Sequence, residues 1–564
     1  MLKEGIIEEV VTPLVKQLGN ARSQALKFKE NEMLPEINLL FDRIEKNVED
    51  MEDAIRRAER WEKDVINKFG ENLDVQLKLC LLCFSVFPEN LVIWKRPVIY
   101  WWIGEGLVTP RRDNTAEEIG ERCFSKLVMK GLIEPVYMKR SPVIKYCKLH
   151  PWMRWMLIAV ARRVQFFDFD SEGNPTSDYS VSRRACLVTR KEGTPDRPNL
   201  GELLTLFNVN EHYLKFQKSW FSKMTKITVL QLGRWQNLPK HHIEVENTEF
   251  LEELRSFKHL RYLSFQGISR ITELPASISE NSNIRILDLR ACHNLESLPV
   301  GIASLKKLTH LDVSECYLLE QMPKGIALLS ELEVLKGFVI GDARSKDACQ
   351  LSDLPKLKKL RKLSMMIGYY KVIVTDNESP SEKMVTDDEL NELRHCEAVR
   401  SLTITWVASR SKKGTAGLPR TATMTPASPS RPSRLPRTAT MRPKLPLRPP
   451  LNESPSLPPK LEKLDLRCFP GKMVPDWLRP NGLTSLKKLY IRGGMLASLG
   501  LETLPSTWNV EVLRLKFLRL LKVEWSQIRS SFQNLAYLEI VKCSELISFP
   551  CDKDGVWVRD ERET

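Results

Sequence analysis

The sequence has few cysteines for its length and no long apolar segment. Its twelve cysteines are spread over 564 residues, without the dense spacing of a disulfide framework. No apolar run approaches the ~20 residues that cross a bilayer. The N-terminal MLKEGIIEEVV has acidic residues where a signal peptide needs a basic flank. We therefore expect a soluble, cytoplasmic protein with reduced thiols and no membrane span.

Motifs for catalysis and for nucleotide or metal binding are also missing. No G-x-x-x-x-G-K-S/T phosphate-binding loop occurs, and no nucleophile, base and orienting group form a recognisable constellation. Cys80 and Cys83 make a Cys-x-x-Cys pair, but the surrounding LKLCLLCFSVF is apolar and no second ligand pair follows at zinc spacing. We therefore expect no enzyme activity, no metal and no cofactor. We interpret both thiols as core side chains of one helix.

Positive charge is abundant, but it is concentrated in one segment. The net charge is +15, and residues 407–460 contain eleven Lys and Arg against one acidic residue, Glu453, together with twelve prolines. This composition cannot bury enough surface to offset its chain entropy, so it predicts a disordered insertion. The insertion has three open interpretations, which are a phosphorylatable tether, a basic docking strip for acidic partners, or a segment without a role. The remaining chain is close to neutral and does not indicate a nucleic-acid-binding face.

The first 76 residues predict a helical segment. Apolar residues recur there at alternating spacings of three and four, as in a heptad seam: Leu34, Ile37, Phe41, Ile44, Val48, Met51 and Ile55. Two interpretations are equally supported. The seam forms a coiled coil, with helical self-association or partner binding, or it packs against its own domain.

From about residue 226 the sequence repeats with a period of 24 residues. Four leucines occupy the same place in successive L-x-x-L-x-L patterns: Leu263, Leu287, Leu311 and Leu335. This pattern predicts an α/β leucine-rich-repeat solenoid, in which the leucines fill a shared core and the intervening exposed positions line a concave face. We expect repeats at 226–406 and 461–550, on either side of the insertion at 407–460. A connecting region is expected at 166–225 and a tail at 551–564.

The block at 77–165 resembles the winged-helix domain of plant coiled-coil NLR disease resistance proteins. The resemblance lies in LKLCLLCFSVFPEN and WWIGEGLV, with these matching positions: Cys80, Cys83, Phe87, Pro88, Trp102, Glu105 and Gly106. Further on, Leu149, His150 and Pro151 stand where that family has a Met-His-Asp motif, with Pro151 replacing the Asp. The resemblance implies an α-helical winged-helix domain followed by the repeats.

The same resemblance implies a function in plant innate immunity, by recognition of another protein through the repeats. The implied partners are a pathogen effector, a guarded host protein or another immune receptor, with no specific nucleic acid. In that family the His contacts a bound nucleotide, so ADP or ATP binding is implied only by resemblance. Because no phosphate-binding loop is present, we expect His150 to be a vestige or a packed polar side chain, and the nucleotide switch to be absent.

Two alternatives remain open. The first is a leucine-rich scaffold outside immunity, or a degenerate relic of a receptor. The second is DNA binding through the winged helix, which requires a basic, exposed recognition helix. The corresponding segment RPVIYWWIGEGL is apolar and aromatic, so packing against a neighbouring domain is favoured over DNA binding.

Overall fold

The structure is a computed structural model. It describes Lys16, 42–44, Lys46, 73–111, 114–137, 144–176, 182–189, 200–236, 242–340, 345–368, 370–371, 382–383, 390–407, 457–501, 507–546 and 548–559. The chain divides into two compact units, residues 1–364 and 365–564. The described positions before residue 73 are helical. Most of the predicted heptad seam, and the insertion from 408 to 456, lie outside the described residues.

The winged helix is the first domain of the first unit that the structure describes continuously, apart from short gaps. Its elements are α1 (Val75–Leu82), β1 (Ile93–Trp94), α2 (Lys95–Glu105), α3 (Ala116–Met129), β2 (Glu134–Val136), β3 (Tyr146–Lys148) and α4 (Pro151–Arg163). The strands form an antiparallel sheet in the order β1-β3-β2. The domain expected to be α-helical therefore also contains a small sheet. Strands of two or three residues are too short to show an alternating apolar pattern in the sequence.

Local sequence explains where these helices begin and end. The Asp74 side chain accepts a hydrogen bond from the Leu77 backbone N–H at 2.7 Å and caps α1. That helix ends at Leu82, and Cys83 opens a separate 3₁₀ turn, Cys83–Val86. The prediction that both thiols lie on one helix is therefore wrong. Phe87 is extended, with ψ at 138°, as expected for a residue that precedes a proline.

The repeats of the first unit form a parallel sheet. Its strands are β4 (Arg184–Leu187), β5 (Thr205–Asn208), β7 (Val229–Gln231), β9 (Tyr262–Ser264), β10 (Ile286–Asp288), β11 (His310–Asp312) and β12 (Val334–Val339), in that spatial order. A separate parallel pair is formed by β6 (Tyr213–Leu214) and β8 (Glu244–Val245). The unit boundary falls within β13 (Lys362–Gly368). Because β4 and β5 belong to the sheet, it begins inside 166–225, which the sequence predicts to be a connecting region. Their irregular spacing conceals the repeat.

The repeat leucines form one column of the core. Leu263, Leu287, Leu311 and Leu335 are register partners on neighbouring strands, and each is fully buried. In three successive repeats a 3₁₀ helix begins directly after Pro275, Pro299 or Pro323: Ala276–Glu280, Val300–Ser304 and Lys324–Leu328. Proline suits this place because its fixed φ and missing N–H are tolerated at a helix start.

The second unit contains five parallel strands and one antiparallel strand. These are β16 (Ser401–Val407), β17 (Lys463–Phe469), β18 (Lys488–Gly494), β19 (Val512–Lys516), β20 (Tyr537–Val541) and β21 (Val556–Val558), with β21 antiparallel to β20. A hairpin of β14 (Tyr370–Lys371) and β15 (Glu382–Lys383) and the helix α5 (Trp525–Ser531) complete the described elements. The predicted tail therefore contributes a strand. No helix among the described residues has the length and apolar content needed to cross a membrane.

Candidate recognition surfaces

Each repeat sheet has a front face, defined by the residues that flank the core leucines and point away from them, such as Tyr262 and Ser264 in β9. The sequence predicts that these positions are exposed. On the strands β5, β7, β9, β10 and β11 of the first unit they are at most 4% exposed: Thr205, Phe207, Val229, Gln231, Tyr262, Ser264, Ile286, Asp288, His310 and Asp312. The prediction is wrong for this part of the sheet because the winged helix lies over it, and both share one core.

Aromatic rings form the apolar part of this contact. Trp101 of α2 stacks on Phe207 of β5, with ring centroids 4.5 Å apart. Phe87 meets Trp235 edge to face at 4.7 Å, and Tyr100 meets His310 at 5.2 Å. Such pairs stabilise an interface beyond the area that they bury. The family-matched Phe87 therefore has a repeat residue as a direct neighbour.

Glu105, at the end of α2, connects the winged helix to β4 and β5. Arg184 donates to both of its carboxylate oxygens, at 2.8–3.0 Å. Thr205 Oγ1 and Trp101 Nε1 also donate to Glu105 Oε1, at 2.6 and 2.8 Å. Burial raises the pKa of Glu105, but Arg184 and these hydrogen bonds outweigh it, so the net pKa is lowered. The carboxyl group is therefore held ionised.

A second polar contact lies further along the front face. Arg96 of α2 faces Asp312, with Nη1 to Oδ2 at 3.8 Å, and Lys336 approaches the same oxygen at 3.2 Å. Glu117 of α3 pairs with Lys362 at 2.7 Å and lies 3.6 Å from His310 Nε2. Ion pairs therefore extend the contact along the sheet as far as β13.

Asp288 and Asp312 are neighbours on β10 and β11, and their pKa values diverge. Burial and the nearby Asp312 charge raise the pKa of Asp288 to about 7. Burial also acts on Asp312, but Lys336 and Arg96 outweigh it and lower that pKa to about 2. The two carboxyl groups are buried side by side, and Asp312 stays charged because Lys336 and Arg96 lie beside it.

Comparison with known proteins matches the winged helix and the repeats to two protein families. Residues 86–156 match the Disease resistance protein Winged helix domain, and residues 207–446 match a Leucine-rich repeat region. Residues 86–156 are therefore similar to the winged helix of disease resistance proteins. The element that covers the front face of the first unit therefore resembles a domain of disease resistance proteins.

The curated relatives are plant disease resistance proteins. Disease resistance RPP13-like protein 4 from Arabidopsis thaliana is 29% identical over 503 residues, which cover 87% of this chain and 51% of that protein. Disease resistance protein PIK6-NP from Oryza sativa subsp. japonica is 27% identical, over 37% of this chain and 19% of that protein. This chain thus spans about half, or less, of the length of these relatives.

Among solved structures, the leucine-rich-repeat ectodomain of the Arabidopsis receptor kinase HAESA matches with 14% identity and a TM-score of 0.32. The match covers 66% of this chain and 52% of that chain. A likeness this weak supports no statement about function.

The residues that carry the resemblance in the sequence mostly pack in the core of the winged helix. Cys80 and Cys83 are fully buried, and burial raises the pKa of both thiols. Trp102 is equally buried, and its Nε1 donates to the Cys80 carbonyl at 3.1 Å. Gly106 ends α2 with φ at +80°, a conformation that favours glycine. Pro88 is half-buried beside Phe87.

His150 and its neighbours start a helix. His150 is the N-cap of α4, where its Nδ1 accepts from the Trp152 backbone N–H at 3.3 Å, and Pro151 is the first helical residue. Leu149 is buried in the domain core. The His150 side chain is exposed, so the expectation that it is a packed polar group is wrong. The capping position directs it away from the core.

The sequence analysis did not predict which repeat residues contact the winged helix. Arg184 and Thr205 lie in the segment predicted to be a connecting region, and His310 looks like an ordinary exposed repeat position. Arg184 is 79 residues from Glu105 in the sequence. A conspicuous pair of acids in AEEIGERC indicates a helix N-terminus, and the Glu118 carboxylate does accept a hydrogen bond from the backbone N–H of Thr115, the N-cap of α3. Nothing in that pattern indicates that Glu117 points at a repeat.

Proposed function

We propose that this chain is an NLR-type plant defence protein that acts by recognising another protein through its leucine-rich repeats. The observation that carries the proposal is the disease resistance winged helix, joined by Glu105 and Arg184 to a leucine-rich-repeat sheet. The resemblance to plant resistance proteins over 87% of the chain supports it. The recognised protein is a pathogen effector, a guarded host protein or another immune receptor.

The buried front face of the first unit affects where recognition takes place. Residues such as Tyr262 and Asp288 are covered by α2 and α3, so a partner cannot reach them while the winged helix is docked. We assign recognition to repeat surfaces that stay exposed. The same burial counts against DNA binding through α2, because eight of its eleven residues are buried.

Co-expression in plant leaves tests this proposal. The full chain is expressed with matched panels of pathogen effectors and full-length receptors, and complexes are recovered with either partner as bait. We expect a complex that is lost when exposed repeat residues are substituted and that alters the defence response. If no panel member forms such a complex, the scaffold or relic alternative is favoured.

We further propose that the chain acts without a bound nucleotide and without catalysis. The lack of a phosphate-binding loop in the sequence supports this, as does the capping role of His150. Thermal unfolding with ADP or ATP and Mg²⁺ tests it. An unchanged midpoint is expected, whereas a shift that saturates at micromolar nucleotide would overturn the proposal.

We also propose a cytoplasmic location. All twelve cysteines are free thiols in the structure, which supports a reducing compartment. Imaging of a fluorescent fusion in leaf cells tests this location. A signal in the secretory pathway would contradict it.

A further inference from the structure

The front face of the second unit differs from that of the first in its charge. On β17 to β20 it consists of Lys463, Asp465, Arg467, Lys488, Tyr490, Arg492, Val512, Arg514, Lys516, Tyr537, Glu539 and Val541. Six of these residues are cationic and two are anionic. The face therefore has an excess of positive charge within a few strands.

Three of the cations are direct neighbours. Arg467 of β17 is the register partner of Arg492 on β18, and Arg492 is the register partner of Lys516 on β19. We call these three residues the cation row. Adjacent strands are about 4.8 Å apart, so the row spans roughly 10 Å. Like charges at this spacing repel one another unless anions compensate them.

Two buried carboxylates compensate the row only in part. Asp465 pairs with Arg467 at 3.0 Å and with Arg492 at 3.2 Å. Glu539 pairs with Lys516 at 2.7 Å and with Arg514 at 3.2 Å. Each carboxylate is thus shared by two cations, and both side chains are at most 2% exposed. A partner approaching from solvent meets the cations and not the acids.

The cation row is accessible, and one of its members contacts an aromatic ring. The side chains of Arg467, Arg492 and Lys516 are 45%, 34% and 21% exposed. Arg492 of the row lies 5.7 Å from the Tyr490 ring centroid, and Arg514, which is outside the row, lies 4.9 Å from it. These contacts hold the guanidinium groups in place, which lowers the entropy cost of binding an anion.

The first unit shows how a front face of this kind binds a protein segment. There the buried acids Asp288 and Asp312 lie on the sheet, and the covering helix α2 brings Arg96 to Asp312. Docking in the first unit thus joins a charge on the sheet to the opposite charge on the covering element. In the second unit the exposed charges on the sheet are positive, so the matching element must be acidic.

We propose that the cation row binds an acidic polypeptide segment of the protein that this chain recognises. This inference rests on the proposed function and adds the site and the chemistry of the partner. Arginine guanidinium groups match carboxylates with paired hydrogen bonds, and the row is long enough for about three carboxylates of an extended segment. Nucleic acid is less suited to this site, because stable binding needs phosphate contacts over a longer basic surface.

Peptide binding by the full chain tests this proposal. Fluorescence anisotropy is measured with a glutamate-rich dodecapeptide, with its glutamine analogue and with a single-stranded oligonucleotide of equal charge, at several salt concentrations. We expect the glutamate peptide to bind more tightly than both other probes, with affinity that falls as salt rises.

The double variant R467Q/K516Q identifies the site. It removes two row cations but leaves Arg492 on Asp465 and Arg514 on Glu539, so neither buried acid loses all partners. We expect about tenfold weaker binding of the glutamate peptide. The matched control R479Q/R519Q removes the same charge from exposed loop positions, and binding should then stay within about twofold of the wild type.

A third variant tests whether the basic insertion contributes to peptide binding. In it the ten Lys and Arg residues of 408–456 are replaced by Gln. If peptide binding depends on these residues, or if the loop control weakens binding as much as R467Q/K516Q does, the proposal is overturned. Tighter binding of the oligonucleotide, or no binding of the glutamate peptide, also overturns it.

Failure of this inference can be told apart from failure of the proposed function. If the leaf complexes form but R467Q/K516Q leaves them intact, recognition stands and the site is wrong. If the glutamate peptide binds the row but no defence partner is found, the site stands and the immune function is wrong.

Discussion

Glu105 of the winged helix and Arg184 of the first repeat strand form a buried, two-pronged ion pair, with N–O distances of 2.8–3.0 Å. The Arg184 guanidinium also lies 3.9 Å from the Phe166 ring centroid. The pair therefore connects an element matched to resistance proteins with a strand that the sequence did not predict.

Removing the charge of Glu105 should destabilise the first unit. In E105Q the Arg184 guanidinium is left buried without a counter-charge, which costs about 3 kcal/mol of the free energy of unfolding. Urea unfolding followed by tryptophan fluorescence measures the change. The control E202Q removes an exposed ion pair with Lys226 and should leave the midpoint unchanged. Equal shifts in both variants would contradict the assignment.

Asp288 and Asp312 should respond in opposite directions to the same substitution. The pKa of Asp288 is raised to about 7 in the folded protein. Between about pH 4 and pH 7 this carboxyl group is therefore protonated in the folded protein and ionised in the unfolded chain. Its contribution to stability is present at low pH and is lost as pH rises to 7. We therefore expect D288N to raise the urea midpoint at pH 8 and to have little effect at pH 4.

Asp312 is the matched comparison. Its pKa is lowered to about 2, so its contribution is present above about pH 4 and is lost as pH falls towards 2. D312N should lower the urea midpoint at pH 8, because Lys336 and Arg96 lose their counter-charge. If both variants shift the urea midpoint in the same direction at pH 8, the assignment of a raised pKa to Asp288 and a lowered pKa to Asp312 is contradicted.

Gly104 should be required for the winged helix to dock. A Cβ atom at this position would lie 2.6 Å from Tyr262 Cβ and 2.8 Å from Val229 Cγ2. G104A should therefore cost about 1–3 kcal/mol, although alanine favours the helix itself. Hydrogen exchange should rise in α2 and on the front face of β7 and β9. The control G201A meets its nearest atom at 3.7 Å and should exchange as the wild type does.

The repeat leucines should be far more sensitive than leucines on the surface. Leu287 is fully buried between Leu263 and Leu311, so L287A should lower the free energy of unfolding by about 2–5 kcal/mol. Leu328 is 57% exposed, and L328A makes the same chemical change outside the core. Urea unfolding of both variants is the measurement. A similar loss in both would argue against the repeat core.

Thiol labelling should separate core cysteines from accessible ones. Burial raises the pKa of Cys80 and Cys83, so both should resist iodoacetamide in the native protein. Cys468 is exposed and should be labelled first, and C468S should remove that early product. Mass spectrometry of labelled peptides determines the order in which the cysteines react. Fast labelling of Cys80 or Cys83, or a disulfide between them, would restore the redox interpretation.

The sequence by itself determined the repeat core and the kind of domain at 77–165. A period of 24 residues places Leu263, Leu287, Leu311 and Leu335 in one column, because the same local geometry recurs in each repeat. The apolar run around Cys80 likewise determined that its thiol lies in a core. Both features depend on residues that are close in the sequence or regularly spaced.

Only the tertiary structure decided which repeat positions are covered and which are exposed. Tyr262 and Lys463 occupy equivalent front-face positions by pattern, yet Tyr262 is buried under the winged helix and Lys463 is partly exposed. Burial of the first depends on contacts such as that of Glu105 with Arg184, which join residues 79 apart. No local periodicity encodes such contacts, because they join side chains that are far apart in the sequence.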